Sequence, residues 1–114
     1  MSLLGTVGKG LYTIPFWFFG VMHFTQEGFI SYVPSYLPFA TFWTYATGLC
    51  FLAGAVGVLT GRHSALALKL LGSLLMVIVL TVHVPNFAAM MSPAPIPLFT
   101  LGLAGASFVL SETV

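Results

Sequence analysis

The sequence predicts an all-α integral membrane protein, a single domain in which four helices cross a bilayer as a bundle. Of the 114 residues, 59% are hydrophobic and only 4% are charged, and the mean hydropathy is +1.08. A soluble domain carries about 25% charged residues. Three basic and two acidic residues cannot cover the surface of a 12.2 kDa protein in water, whereas lipid tails accept an apolar surface.

Four apolar stretches are the candidate membrane spans. A span needs about 17 to 25 residues, and we predict spans near residues 7–24, 42–60, 65–84 and 97–110, of which the last is the shortest. Helix is the expected conformation because backbone groups in hydrocarbon must be hydrogen-bonded within the segment. No small-x-small cleavage site follows the first stretch, so we expect it to be retained as a span.

The basic residues predict the orientation. Lys9, Arg62 and Lys69 fall on the side shared by the two termini and the second loop, and the first and third loops contain no lysine or arginine. The positive-inside rule therefore places both termini in the cytoplasm. The first loop, about residues 25–41, is rich in aromatic residues, which favour the headgroup region. We expect it to lie along the outer interface, with a short helix near residues 26–32.

Small residues within the spans indicate close helix packing. Glycine lets helix backbones approach where lipid provides no hydrophobic driving force. Packing within one bundle is the favoured interpretation, and a dimer interface is the alternative. The positions predicted to serve this packing are Gly48, Gly54, Gly57, Gly61, Gly102 and Gly105.

Four polar residues form the candidate ligand site. His23 and His83 end the first and third spans on the predicted outer side, and Asn86 follows shortly after His83. Glu27 is four residues after His23 and would share its face if that helix continued. Ionisable groups in a membrane are costly and are therefore functional candidates. The sequence thus predicts a polar cluster of His23, Glu27, His83 and Asn86 at the outer mouth of the bundle.

Three ligand classes suit that cluster, besides a structural interpretation. It could hold the polar head of a quinone or lipid, a haem with two axial histidines, or a metal ion bound by imidazole. We favour a quinone or lipid among these ligands, and haem less. The histidines also suit a purely structural role, capping helix ends or hydrogen-bonding Glu27 and Asn86, and the sequence alone favours that role. No cofactor or metal is predicted with certainty.

Several function classes are excluded or disfavoured by the sequence. The absence of aspartate excludes a Ser-His-Asp triad, and no phosphate-binding glycine loop ending in Lys-Ser or Lys-Thr occurs. We therefore predict no catalytic residues and no autonomous enzyme. Three scattered cations make no basic patch for nucleic acid. The single cysteine, Cys50, lies in an apolar run and forms no intramolecular disulfide.

Several motifs resemble the DoxX-like family of small bacterial membrane proteins. These are Gly20-Val21-Met22-His23-Phe24, the run Tyr32-Val33-Pro34-Ser35-Tyr36-Leu37-Pro38, Thr47-Gly48 with Gly54 and Gly57, and Pro85-Asn86. The resemblance covers about residues 5–90. One departure is that family members often carry a glutamate shortly after the small-Gly pair, where this chain has Leu49-Cys50-Phe51. A role that needs an intramembrane carboxylate is therefore disfavoured.

The resemblance implies a location and a function. The DoxX-like family is similar to a subunit of a thiosulfate:quinone oxidoreductase and to parts of other membrane redox assemblies. We therefore expect a multi-pass protein of the bacterial inner membrane that is a non-catalytic accessory subunit of a redox or electron-transfer complex, partnered by lipids and a larger membrane complex. A distant animal relative of the family is an assembly chaperone, so the alternatives are a membrane assembly factor or a small-molecule carrier.

Overall fold

The chain between Leu3 and Ser111 is almost entirely helical, and residues 2–114, which the computed structural model describes, contain no strand. The all-α part of the predicted fold class is therefore confirmed. In chain order the helices are α1 (Leu3–Thr25), a 3-10 helix (Glu27–Tyr32), α2 (Ala40–Thr60), α3 (Ser64–Ile78), which continues as a π-helical turn (Val79–His83), α4 (Phe87–Met90) and α5 (Ile96–Ser111).

A helix lies at each of the four predicted spans. α1 begins at Leu3 rather than near residue 7 because Ser2 caps it, with the Gly5 N–H donating to Ser2 Oγ at 3.1 Å. Serine is a favourable N-cap because its hydroxyl satisfies an amide that has no partner within the helix. The short helix predicted near residues 26–32 is present as the 3-10 helix. α4 has no counterpart in the prediction.

Sequential helices pack side by side in antiparallel fashion, so that α2 lies between α1 and α3, and α3 also packs on α5. The Tyr12 hydroxyl is hydrogen-bonded to Ser107 and joins α1 to α5 across the bundle. The rings of Phe16 and Phe51 meet in the centre, with centroids 5.6 Å apart. The buried apolar cluster around them comprises Phe16, Phe51, Ala55, Val58, Leu68, Leu71, Leu75 and Ala104.

The turn between α2 and α3 is short and depends on left-handed backbone conformations. Gly61 ends α2 at φ 77°, a conformation that glycine adopts without steric cost. His63 precedes α3 at φ 55°. The Ser64 hydroxyl donates back to the Gly57 carbonyl at 3.2 Å instead of capping its own helix. These features hold α2 and α3 together as a tight hairpin.

The end of α3 departs from α-helical geometry. Over Val79–His83 the helix widens to a π-helical turn, in which the Val84 N–H donates to the Val79 carbonyl at 2.9 Å. Such turns add a residue to one helical turn and change the direction of the side chains that follow. His83 is the last residue of this turn, and the chain then bends through Pro85 and Asn86 into α4.

Three of the six predicted packing glycines lie at helix contacts within the chain. A Cβ added to Gly48, Gly54 or Gly57 would lie 2.8, 2.5 or 3.1 Å from its nearest neighbour. Gly61, Gly102 and Gly105 make no such contact within residues 2–114, since a Cβ there would meet nothing within 4 Å. Gly61 serves the turn instead of a helix contact. Gly102 and Gly105 are exposed on the outer side of α5.

Two helical segments in residues 2–114 are long and apolar enough to cross a membrane, Ala40–Thr60 and Ser64–His83. α5 is apolar but has only 16 residues, and α1 has 23 residues but a more mixed composition that includes Lys9. Length and composition therefore support two of the four predicted spans. Only 28% of each of the two long segments is buried within the chain.

Candidate functional site

The first loop and the end of α3 line an open surface cavity of about 350 Å³. The loop follows the 3-10 helix and is turned by Pro34, whereas the opposite wall is the π-helical turn and the bend at Pro85. Proline ends regular helix on both sides because it has no N–H to donate. The lining residues are Tyr32, Val33, Pro34, Ser35, Tyr36, Leu80, Thr81, Pro85 and Asn86.

Asn86 supplies an oriented amide to this cavity. Its Nδ2 donates to the Val82 carbonyl at 2.8 Å, which fixes the side chain against the end of α3. Within residues 2–114 its Oδ1 accepts no hydrogen bond. An amide held by one bond retains one donor hydrogen and an acceptor oxygen for a ligand.

Hydroxyl groups provide the other polar atoms of the cavity. Tyr32, Ser35 and Tyr36 make no side-chain hydrogen bond to other residues of the 2–114 segment, and Tyr36 is 74% exposed. Thr81 differs, since its hydroxyl donates to the Val77 carbonyl at 2.7 Å. Hydroxyls donate to carbonyl or phosphate oxygens, so the loop can bind an oxygen-rich polar head. The arrangement offers hydrogen bonds and one apolar wall, without a fixed charge.

His23 lies outside this cavity, between aromatic rings. Its Nδ1–H donates to the Phe19 carbonyl at 2.5 Å, because a carbonyl can only accept. The imidazole meets Phe29 and Phe51 edge-on, with centroids 4.8 and 5.3 Å away. Nε2 therefore carries the lone pair of the neutral ring, and within residues 2–114 it has no hydrogen-bond partner. The ring connects α1, α2 and the 3-10 helix.

His83 is buried and faces α4 and α5. Its Nδ1 lies 3.0 Å from Met90 Sδ and its Nε2 lies 3.1 Å from Thr100 Oγ1. The Thr100 hydroxyl donates its one hydrogen to the Ile96 carbonyl at 2.9 Å, so in the neutral ring Nε2–H donates to Thr100 Oγ1. Nδ1 then carries the lone pair and lies beside the Met90 sulfur. From the end of α3, His83 thus contacts both α4 and α5.

The four predicted ligand residues occupy separate environments. Among residues 2–114 no hydrogen bond joins any two of His23, Glu27, His83 and Asn86. The condition for a shared face of His23 and Glu27, a continuous helix, is not met, because α1 ends at Thr25 and Glu27 begins the 3-10 helix after Gln26. Glu27 is exposed. Only Asn86 of the four lines the cavity.

The two histidines do not share a site. His23 lies between Phe29 and Phe51, whereas His83 lies against Met90 and Thr100. Residues 2–114 contain no group of three or more His, Cys, Asp or Glu side chains placed to hold a metal ion. The hydroxyl and amide groups that line the cavity at the first loop can hydrogen-bond a neutral or anionic oxygen ligand.

Sequence reasoning did not assign Tyr32, Ser35 and Tyr36 to the ligand site. A usable signal was present, since the two proline-containing segments around Pro34 and Pro85 are both predicted on the outer side. Proline breaks at the same end of a bundle place the irregular segments near one another. The polar side chains beside those prolines, rather than the histidines, line the cavity.

Comparison with known proteins identifies one family. A family model described as "Domain of unknown function (DUF8561)" matches residues 13–103. This region includes both sides of the outer cavity and most of the helical bundle. No curated protein and no solved structure showed a significant match to the chain.

Proposed function

We propose that this chain, which belongs to the DUF8561 family, is a four-span bacterial inner-membrane protein with both termini in the cytoplasm. We propose further that it is a non-catalytic accessory subunit of a membrane redox or electron-transfer complex. Its outer cavity would take the polar head of a quinone or a lipid. The resemblance to the DoxX-like family supports the redox partner, and the geometry supports the membrane location and the ligand class.

The outward surface of the helices is the observation that carries this proposal. Phe18, Leu49, Leu70, Phe99 and Val109 are each between 61 and 69% exposed, and they lie on all four long helices. In water each such side chain would forgo about 1.5–3 kcal/mol of burial. In hydrocarbon the same surface is solvated by lipid tails, so no penalty arises.

The location of charge agrees with this surface. Lys9, Arg62 and Lys69 lie towards the end of the bundle that holds the α2–α3 turn, and Glu112 follows α5 at the same end. Glu27 lies beside the opposite end. The middle of each long helix is therefore without formal charge. This distribution fits a bilayer with its basic side in the cytoplasm.

Length and composition support α1 and α5 as spans less than α2 and α3. Both are nevertheless consistent with a bundle that inserts around the α2–α3 hairpin. α5 has 16 residues and is about 24 Å long at 1.5 Å per residue, against about 30 Å of hydrocarbon. A short span is accommodated by local thinning of the bilayer at modest cost. α1 is long enough to cross, and its Tyr12 contact with Ser107 anchors it to α5.

The outer cavity supports a polar-head ligand. Ligand pockets fall in the range of about 300–1,000 Å³, and this cavity has about 350 Å³. Leu80 and Pro85 give it an apolar side continuous with the lipid-facing surface, and Asn86 and Tyr36 give it hydrogen-bonding groups. A quinone carbonyl or a lipid headgroup would accept hydrogen bonds from these groups while its tail remains in the membrane.

Native mass spectrometry of the protein extracted gently from its own membrane tests the function. The proposal expects a stable larger assembly that retains quinone or lipid mass. An isolated monomer or homodimer without ligand would overturn the subunit role and favour an assembly factor or a carrier. Fusion of cytoplasm-specific reporters to each terminus tests the topology separately, and a periplasmic signal from either terminus would contradict it.

A pair of tyrosine variants tests the cavity. Tyr36→Phe removes only a hydroxyl from an exposed cavity residue, so the fold should not change. Tyr45→Phe is the matched control, because Tyr45 is also exposed but packs on Phe24 outside the cavity. We expect about a fivefold weaker retention of the ligand in Tyr36→Phe alone, corresponding to one lost hydrogen bond of about 1 kcal/mol. Equal retention in both variants would remove the cavity from the proposal.

A further inference from the structure

A second cavity, of about 460 Å³, lies on the opposite half of the bundle between α2 and α3. It is a groove along the lipid-facing side of the hairpin, away from the first loop. Its floor is formed where Gly54 meets Leu71 and Gly57 meets Ala67. The lining residues are Cys50, Ala53, Gly54, Gly57, Leu66, Ala67, Leu70, Leu71 and Leu74, with Arg62 and His63 at one end.

The shape of the groove follows from side-chain size. On α2 the lining side chains are small, so they leave a depression along that helix. On α3 the side chains of Leu66 and Leu70, each more than half exposed, form the wall of this depression. The α3 positions 66, 67, 70, 71 and 74 follow the spacing of one helix face, and His63 lies just before the helix begins. A continuous apolar channel therefore runs along the hairpin axis.

The length of the groove matches one leaflet. From Ser64 to Leu74, α3 rises about 15 Å at 1.5 Å per residue. Half of a hydrocarbon core of about 30 Å is also about 15 Å. The groove thus begins at the turn, where the chain reaches the membrane surface, and ends near the middle of the bilayer. An acyl chain from the leaflet on that side has this length and direction.

The mouth of the groove attracts anions. Arg62 is exposed, and within residues 2–114 it forms no ion pair with Glu27 or Glu112. His63 beside it provides an imidazole N–H. The first amides of α3 also point to this end and have no side-chain cap, because the Ser64 hydroxyl donates to Gly57 and Val58 instead. Free amides at a helix N-terminus and a guanidinium are both favourable partners for phosphate.

From this combination we propose that the α2–α3 groove binds an anionic glycerophospholipid of the cytoplasmic leaflet. The lipid phosphate lies against Arg62, His63 and the start of α3, and one acyl chain fills the groove towards Cys50. A zwitterionic lipid has the same chain but carries a cation beside Arg62, so it binds less well. The proposal rests on the proposed membrane location but not on the outer cavity or on a redox partner.

Lipid retention in native mass spectrometry tests the headgroup. The purified protein is equilibrated with equal amounts of phosphatidylglycerol and phosphatidylcholine that share the same acyl chains. We expect phosphatidylglycerol to be retained about fivefold more strongly, the effect of one arginine near an anionic headgroup. Arg62→Ala should abolish the preference, whereas Lys69→Ala, an exposed cation on α3 outside the groove, should retain it. Equal retention by the unaltered protein, or equal loss in both variants, would overturn the proposal.

A second pair of variants tests the acyl chain. Ala53→Phe places a ring in the groove at an exposed position, and Ala106→Phe places the same ring on an exposed position of α5. We expect loss of bound phosphatidylglycerol only in Ala53→Phe. If inorganic phosphate displaces the lipid and Ala53→Phe leaves retention unchanged, the mouth is only an anion site and the proposal is wrong.

The membrane location is checked on the same samples by resistance to alkaline carbonate extraction. A protein that resists extraction but shows no lipid preference overturns the groove alone. A protein that is extracted overturns the membrane location and the groove together.

Discussion

Gly20 of α1 and Gly48 of α2 bring their helices into backbone contact. A Cβ built on Gly48 would lie 2.8 Å from the Gly20 carbonyl oxygen, and one built on Gly20 would lie 3.1 Å from the Gly48 carbonyl oxygen. Both glycines are buried. Since neither carbonyl can move without shifting a helix, this crossing sets the distance between α1 and α2. His23 lies one turn beyond it and also meets the Gly48 position.

The first prediction concerns this crossing. Gly48→Ala should lower the free energy of unfolding by about 1–3 kcal/mol, the usual cost of overpacking, because the new methyl group meets backbone rather than a flexible side chain. Gly102→Ala is the control, since a Cβ there meets nothing within 4 Å. It should be neutral or slightly stabilising, as alanine favours helix over glycine by up to about 1 kcal/mol. The midpoint of SDS-induced unfolding, followed by circular dichroism, measures both, and an equal effect would contradict the contact.

The second prediction concerns Tyr12 and Ser107. The Ser107 hydroxyl donates to the Leu103 carbonyl at 2.8 Å, so the Tyr12 O–H is the donor to Ser107. Tyr12→Phe should lower the free energy of unfolding by about 1 kcal/mol. Ser107→Ala and the double variant complete a thermodynamic cycle. A coupling energy near zero would show that the pair does not bind α1 to α5.

The third prediction concerns the turn at Gly61. An alanine at φ 77° is strained, and Gly61→Ala should destabilise the protein by about 1–2 kcal/mol. Gly8→Ala, in open space within α1, is the matched control and should not. Thermal unfolding in a mild detergent measures the difference. If Gly61→Ala is as stable as the control, the left-handed conformation does not end α2.

The fourth prediction uses Cys50, which is exposed on α2 in the α2–α3 groove. In membranes it should not react with a charged thiol reagent, because the charged reagent does not enter hydrocarbon. It should react once SDS unfolds the protein. Ser35→Cys in a Cys50→Ala background places a thiol in the exposed first loop and should react in both conditions. Immediate labelling of Cys50 in intact membranes would place α2 in water.

The helices were predictable because composition and length determine them locally. Ser2 and Gly61 even explain where α1 begins and α2 ends, since capping chemistry is local. The π-helical turn ending at His83 was not predictable, because the sequence around Val79 has no feature that distinguishes it from ordinary apolar helix. α4 comes shortly after that turn in the chain and was not predicted either.

The candidate site was predictable only in part. His23 lies two residues before the end of α1 and His83 ends the π-helical turn that continues α3, but α2 packs between α1 and α3 and each imidazole faces a different neighbour. The lateral order of helices in a bundle is set by packing, which periodicity does not reveal. Asn86 was identified because proline marks the bend before it, and Tyr36 was missed because the aromatic residues of the first loop were assigned to the headgroup region as a group.

The π-helical turn makes the residue count at the end of α3 critical. Each residue of an α-helix advances the side-chain direction by about 100°. A π-helical turn accommodates one extra residue, so removing one of residues 79–82 would restore regular helix while the side chains beyond it keep nearly the same direction. An added residue would not be accommodated in this way, so it would rotate His83 away from Thr100 and Asn86 away from the first loop. A single-residue deletion in this turn should therefore be tolerated better than a single-residue insertion.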